Sequence, residues 1–153
     1  MKWRDEFATG IHNIDDQHRT IVAYITRFER IAGNQEAADD AHSLILCARK
    51  LLQFHFSVEE SLMRILPYPY FVEHCTEHER EMRTMADIER TMQRGHEQLE
   101  SVQLMRDCLI EHIVHGDRSL GHYALDLYGR KGPRGARPRA PTTDGLPVRD
   151  DYR

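Results

Sequence analysis

Apolar residues recur along most of the chain at the three-and-four spacing of a helix. One run is His18, Ile21, Val22, Ile25, Phe28 and Ala32. A second is Leu44, Ile45, Ala48, Leu51, Leu52, His55, Glu59 and Leu62, and a third is His74, His78, Met82, Met85, Ile88 and Met92. The fourth is Val102, Met105, Leu109 and His112, with Ile113 beside it. A period of about 3.6 residues places each set on one face of a helix. Strand-like alternation is absent, and β-branched residues are scarce. Breakers divide the runs at Gly33-Asn34, at Pro67 and Pro69, and at Gly95. Asn13 or Asp15 is expected to cap the first helix, and Asp39 or Asp40 the second. Connections this short force neighbouring helices antiparallel. The pattern therefore predicts an all-α fold, an up-down-up-down four-helix bundle over residues 12–128. An N-terminal arm carrying Trp3 and Phe7 is expected to cross it as an apolar strap.

Charge divides the chain in two. Residues 130–153 hold seven basic and three acidic residues and four of the six prolines, with few large apolar side chains. Such a segment cannot bury enough surface to offset its ordering entropy, so a disordered tail is expected there. Residues 1–129 are expected to form the single bundle domain and carry a net charge of −8, against −4 for the whole chain. That balance gives no case for nucleic-acid binding. No apolar run is long enough to span a membrane, and the first residues have no apolar core of a secretory signal. Cys47, Cys75 and Cys108 are odd in number and lack framework spacing, which points to a reducing compartment and a cytoplasmic protein.

The ten histidines are roughly three times the usual share. In antiparallel helices, residues equidistant from a turn lie at the same height. His18 and His55 are centred on the first loop, His55/Glu59 and His74/His78 on the turn at Pro67, and His74/His78 and His112/Asp117 on Gly95. Seven potential ligands on four helices thus converge on one layer of the bundle. The i, i+4 spacing of His55/Glu59 and His74/His78 lets both members of each pair meet one small site. His112 and Asp117 break that rule, because five residues turn about 140° on an ideal helix. Either Asp117 reaches back along the site, or a local π-type widening near Gly116 restores their alignment. His12, His42, His96, His115 and His122 are expected at the surface or at helix ends. Five buried histidines and two carboxylates without a metal would be a costly polar core. Seven donors are too many for one tetrahedral ion and suit two ions bridged by the carboxylates.

Four segments, taken in order, resemble a known family. They are Gly10-Ile11 with Ile14-Asp15-Asp16-Gln17-His18; His55-Phe56-Ser57-Val58-Glu59-Glu60; His74-Cys75-Thr76-Glu77-His78; and His112-Ile113 through Asp117. Over residues 3 to about 126 the chain resembles the hemerythrins, the bacterial ones in particular. The resemblance implies two non-haem iron ions in the bundle core, bridged by an oxo or hydroxo group and by Glu59 and Asp117. His74, His78 and His112 would hold one iron. His18 and His55 would hold the other and leave one position open, where dioxygen binds reversibly for storage, delivery or sensing. Phe56, Leu109 and Ile113 match positions of the family's apolar O2 pocket. Cys108 departs from the tryptophan that many relatives carry there and leaves a smaller, oxidisable side chain.

The resemblance implies a binding protein rather than an enzyme, with dioxygen as its ligand. The alternative is a related di-iron redox enzyme of defence against nitric oxide, peroxide or iron stress. A third reading, zinc hydrolysis, rests on His74-Cys75-Thr76-Glu77-His78, which fits the H-x-x-E-H pattern. It leaves His18, His55, His112 and Asp117 unexplained.

Overall fold

The first helix shows how pattern becomes architecture. Its apolar stripe buries Ile14, Ile21, Val22, Ile25 and Phe28, and His18 lies within the same stripe. The structure is a computed structural model that describes residues 1–32, 37–93 and 98–131. Helix α1 spans His12–Ile31, α2 Ala38–Ile65, α3 Phe71–Gln93, α4 Gln98–His112 and α5 Arg118–Lys131. A π-helical turn, Ile113–Asp117, joins α4 and α5 into one fourth rod. Packing runs α1 on α2, α2 on α3, α3 on α4, and α4 back on α1. This is the expected four-helix bundle, all-helical among the described residues, and none of their helices is long and apolar enough to cross a membrane. Connections 33–36 and 94–97 lie outside the described residues.

Apolar packing fills the bundle at and beyond one side of the histidine layer. Ile25, Phe28, Ile45, Leu52, Met85, Ile88, Met105 and Leu109 belong to one buried cluster. A large apolar side chain buried this completely stabilises the fold by about 1.5–3 kcal/mol. On the other side Met63, Tyr68 and Leu120 close the end of the bundle. There the Tyr68 N–H donates to the Met63 carbonyl at 3.0 Å and ends α2 in a Schellman-type turn. Pro67 follows the C-cap Leu66, and its missing N–H cannot continue the helix. The Tyr123 hydroxyl ties α5 to the same turn, lying 3.1 Å from the Leu66 and Pro67 carbonyls.

The N-terminal arm forms the expected strap. Phe7 is fully buried against Val22 and Ile113, with Trp3 packed on the same cluster. The arm passes so close to α5 that a Cβ on Gly121 would stand 2.3 Å from the Thr9 carbonyl oxygen. Only glycine permits that approach.

The expected caps are not formed. Ile11 is the N-cap of α1 and Ala37 that of α2, and neither end has a side-chain cap hydrogen bond. Asn13 and Asp15 lie inside the first turn of α1, too far along to reach its free N–H groups. Asp15 instead turns inward and accepts from the Thr9 N–H at 2.7 Å and the Thr9 hydroxyl at 2.8 Å. It fastens the arm rather than the helix end. Asp39 and Asp40 sit in the first turn of α2, where their charge offsets the positive helix end. Helix α5 runs to Lys131, two residues into the segment read as tail; residues 132–153 lie outside the described residues.

Candidate metal centre

Each rod of the bundle delivers its donors to one layer. His18 comes from α1, His55 and Glu59 from α2, His74 and His78 from α3, His112 from the end of α4, and Asp117 from the π turn. All seven are at most 5% exposed. Their ligand atoms fall into two groups, each gathered within 4.8 Å. One is Glu59, His74, His78, His112 and Asp117; the other is His18, His55, Glu59 and Asp117. Both carboxylates belong to both groups, which is the arrangement of a two-ion site with shared bridges.

Backbone geometry accounts for the odd member. The Arg118 N–H bonds to the Ile113 carbonyl, an i to i−5 bond that widens the helix there. Asp117 thereby returns to the face of His112, so of the two readings of the five-residue spacing the widened helix is the one formed. The π turn also passes close to the ligands. A Cβ on Gly116 would lie 3.2 Å from Cε1 of both His112 and His74.

Asp117 divides its two oxygens between the halves. Oδ2 lies 3.0 Å from His18 Nε2 and 3.6 Å from His55 Nε2. Oδ1 lies 2.9 Å from His112 Nε2 and 3.4 Å from His74 Nε2. Glu59 Oε2 stands 3.3 Å from His78 Nε2, 3.4 Å from His74 Nε2 and 3.5 Å from His55 Nε2.

These distances are short, yet the five Nε2 atoms and all four carboxylate oxygens have no hydrogen-bond partner of acceptable geometry. They point at common spaces rather than at one another. Each buried polar atom left unpaired costs about 1–3 kcal/mol, so nine in one layer need a shared partner. Adjacent donors about 3 Å apart are what bonds of about 2.1 Å to a metal ion require. The donor set, imidazole with bridging carboxylate, suits iron or a similar transition metal. The residues fit a pair of such ions.

The far side of four of the imidazoles faces a neighbouring oxygen. His18 Nδ1 is 3.1 Å from the Phe7 carbonyl oxygen, and His55 Nδ1 is 3.0 Å from Gln17 Oε1. His78 Nδ1 is 3.3 Å from Glu60 Oε1, and His112 Nδ1 is 3.1 Å from Glu81 Oε1. Every one of these neighbours is an acceptor. At His18, His55 and His78 the Nδ1 therefore carries the proton that faces it, and Nε2 is left to bind a metal, whereas His112 Nδ1 faces Glu81 without hydrogen-bond geometry.

Electrostatics in the layer follow from the crowding. Burial disfavours a charge on His74, but Asp117 and Glu59 outweigh it and hold the imidazole at about 9. Burial is likewise outweighed at His112, which Asp117 and Glu81 raise well above the ordinary value, and at His18, which Asp117 raises. Burial pushes the Asp117 carboxyl up, yet His112, His18 and His55 hold it well below the usual range. Burial and the like charge of Asp117 raise Glu59, but His55, His74 and His78 prevail and lower it.

Phe56, Leu109 and Ile113 are all at most 3% exposed. Phe56 stacks on His78 at 3.9 Å and meets His55 and His112 edge-on or tilted, at 5.5 and 5.4 Å. Ile113 joins the strap cluster with Phe7 and Val22, and Leu109 joins the main core. His12, His115 and His122 are exposed, as expected, and His42 is partly buried. His96 lies outside the described residues.

The sequence pattern did not single out Gln17, Glu60, Glu81 or the Phe7 carbonyl. Glu81 carried a signal: it stands three residues after His78 and four after Glu77, on one helix face. Gln17 and Glu60 each adjoin a ligand in sequence, but their partners lie across a helix crossing.

Comparison with known proteins agrees with this geometry. The profile of the hemerythrin HHE cation-binding domain matches residues 9–121. Bacteriohemerythrin of Methylococcus capsulatus is 27% identical over 124 residues, covering 79% of this chain and 94% of the relative. That of Clostridium acetobutylicum is 26% identical over 123 residues, covering 76% and 95%. That of Pseudomonas aeruginosa is 29% identical over 118 residues, covering 76% of each. A crystal structure of wild-type hemerythrin superposes with a TM-score of 0.72 at 27% identity, covering 80% of this chain and 95% of its own. All seven buried donors fall within the matched span, and the chain belongs to the hemerythrin family.

Proposed function

We propose that the chain binds dioxygen reversibly at a pair of non-haem iron ions in this layer. The observation that carries the reading is the sharing of Glu59 and Asp117 between two groups of buried donors. His74, His78 and His112 are assigned to one iron, and His18 and His55 to the other. Glu59 and Asp117, which belong to both groups, would hold both ions. The half with two histidines has fewer protein donors and so has room for an outside ligand. Two ferrous ions held this close supply one electron each, so a two-electron exchange with dioxygen needs no freed radical.

The chain's own residues set the conditions for reversibility. Phe56, Leu109 and Ile113 keep water from the layer, because each is buried and apolar. Phe7, Gln17 and Glu60 hold the imidazoles of His18, His55 and His78 in their ligating orientation. Asp117 presents one oxygen to each half and would hold both ions.

Anaerobic reconstitution with ferrous iron, followed by exposure to air, tests the proposal. A visible band that appears with O2 and vanishes when O2 is removed supports reversible binding. Irreversible bleaching with consumption of an added reductant supports instead the alternative, a di-iron redox enzyme of nitric oxide, peroxide or iron stress.

A further inference from the structure

Beside the metal layer, between α3 and the fourth rod, lies a cavity of about 270 Å³. Glu77, Glu81 and Glu111 line it, against one guanidinium, Arg80. Cys108, His115 and Thr84 complete its polar wall, and His112 and Gly116 form its inner edge. A larger residue at position 108 would occupy part of this space.

Glu81 is the informative member. It is 4% exposed, and its Oε2 has no hydrogen-bond partner although the residue lines the cavity. Its other oxygen, Oε1, lies 3.1 Å from His112 Nδ1. The opposite edge of the same ring, Nε2, lies 2.9 Å from Asp117 Oδ1. A single imidazole thus separates the cavity from the metal layer. A buried carboxylate oxygen without a partner asks for a positive charge or a donor. The exposed Glu111 and the half-exposed Glu77 extend the same negative field to the surface.

We propose that this cavity is a loading site for a divalent transition-metal cation, which is held there before it passes His112 into the centre. An anion is disfavoured by three carboxylates facing one guanidinium. An apolar guest is disfavoured by the polar wall. Carboxylates with an imidazole and a thiol within reach suit a borderline ion such as ferrous iron or Co2+ better than Mg2+ or Ca2+. The inference rests on the reading of the layer as a two-ion centre, and it adds the route by which the centre is filled.

The test uses the metal-free full chain, Co2+ alone as probe, and low ionic strength. The rate at which the Co2+ absorption bands appear and the final stoichiometry are both read. Charge-lined clefts raise association rates by about 10- to 1000-fold. Glu111→Lys should therefore fill about tenfold more slowly than the parent chain, yet reach the same final stoichiometry, and Glu81→Gln should also fill more slowly. Glu79→Lys makes the same charge change on the other groove of α3 and should fill at the parental rate.

Parental rates in both Glu111→Lys and Glu81→Gln would overturn the loading site while leaving the centre intact. Slowing in Glu81→Gln alone would mean that Glu81 acts only by orienting His112, and would also overturn it. Equal slowing in Glu79→Lys would reduce the effect to general surface charge and would overturn the loading site as well. A parent chain that binds no pair of Co2+ ions would remove the two-ion centre itself and the loading site with it.

Discussion

His112 and Asp117 are five residues apart, yet Nε2 of one and Oδ1 of the other lie 2.9 Å apart in the bundle core. An α-helix would set them about 140° apart. The π turn at Ile113–Asp117 closes that angle, and Gly116 lets the turn pass the imidazoles of His74 and His112. The helix distortion brings Asp117 into the layer of the five histidines.

Gly116→Ala separates folding from metal binding. Alanine is favoured over glycine in a helix by about 0.5–1 kcal/mol, so the metal-free protein should melt no lower than the parent. The added methyl crowds two ligand rings, so metal affinity should fall about tenfold, within the range for changes just outside the ligands. Thermal melts of the metal-free chain and metal titration by competition with a chelator check the two halves.

Gln17→Ala removes the acceptor facing His55 Nδ1 without touching a ligand. The ring loses the contact that fixes its tautomer and orientation. Metal affinity should drop by about 10- to 100-fold, and chiefly for one of two ions. Stepwise titration should show one tight and one weakened site. Two unchanged sites would deny Gln17 this role.

The pH dependence of the metal-free protein follows from the raised histidines and lowered carboxylates. His74, held at about 9 against an ordinary 6.5, contributes stability that is complete below about 6.5. That contribution disappears as pH rises through about 9. Asp117 and Glu59 are lowered from 3.8 and 4.5. Their contribution is complete above those values and is lost as pH falls through the lower folded ones. The metal-free bundle should therefore be most stable in mildly acidic solution and weaken toward pH 9. Metal must displace these protons, so metal affinity should rise over the same interval. Melting temperatures and chelator competition between pH 5 and 9 read both trends, which run in opposite directions.

Much of this site is legible in the amino-acid sequence. The turn-centred heights of His18, His55, His74, His78 and His112 depend only on helix lengths, and those follow from apolar period and breakers. The distortion near Gly116 is legible only as one of two ways to compensate for a missing i, i+4 partner, the other being an Asp117 side chain that reaches back. The fastening of the arm by Asp15 is not. A short polar side chain in a first turn reads as a cap, and only the path of the arm shows that Thr9 lies within reach. Gln17 and Glu60 are hidden for a similar reason: which oxygen meets which Nδ1 depends on how helices cross.

Gly121→Ala tests whether the arm supports the site. A Cβ there would collide with the Thr9 carbonyl, and the arm would have to shift. Such overpacking costs about 1–3 kcal/mol. The Phe7 carbonyl that faces His18 Nδ1 would move with it. The melting temperature should fall, and binding at the half formed by His18 and His55 should weaken more than at the other. A fall in stability with both metal sites intact would confine the arm to a structural role.

The central claim is that seven buried residues hold two metal ions with Glu59 and Asp117 shared between them. X-ray absorption on the chain reconstituted anaerobically with ferrous iron tests it most directly. The expected result is about two irons per chain and a metal–metal vector of roughly 3.5 Å. A single iron per chain, with no metal–metal scattering, would contradict it.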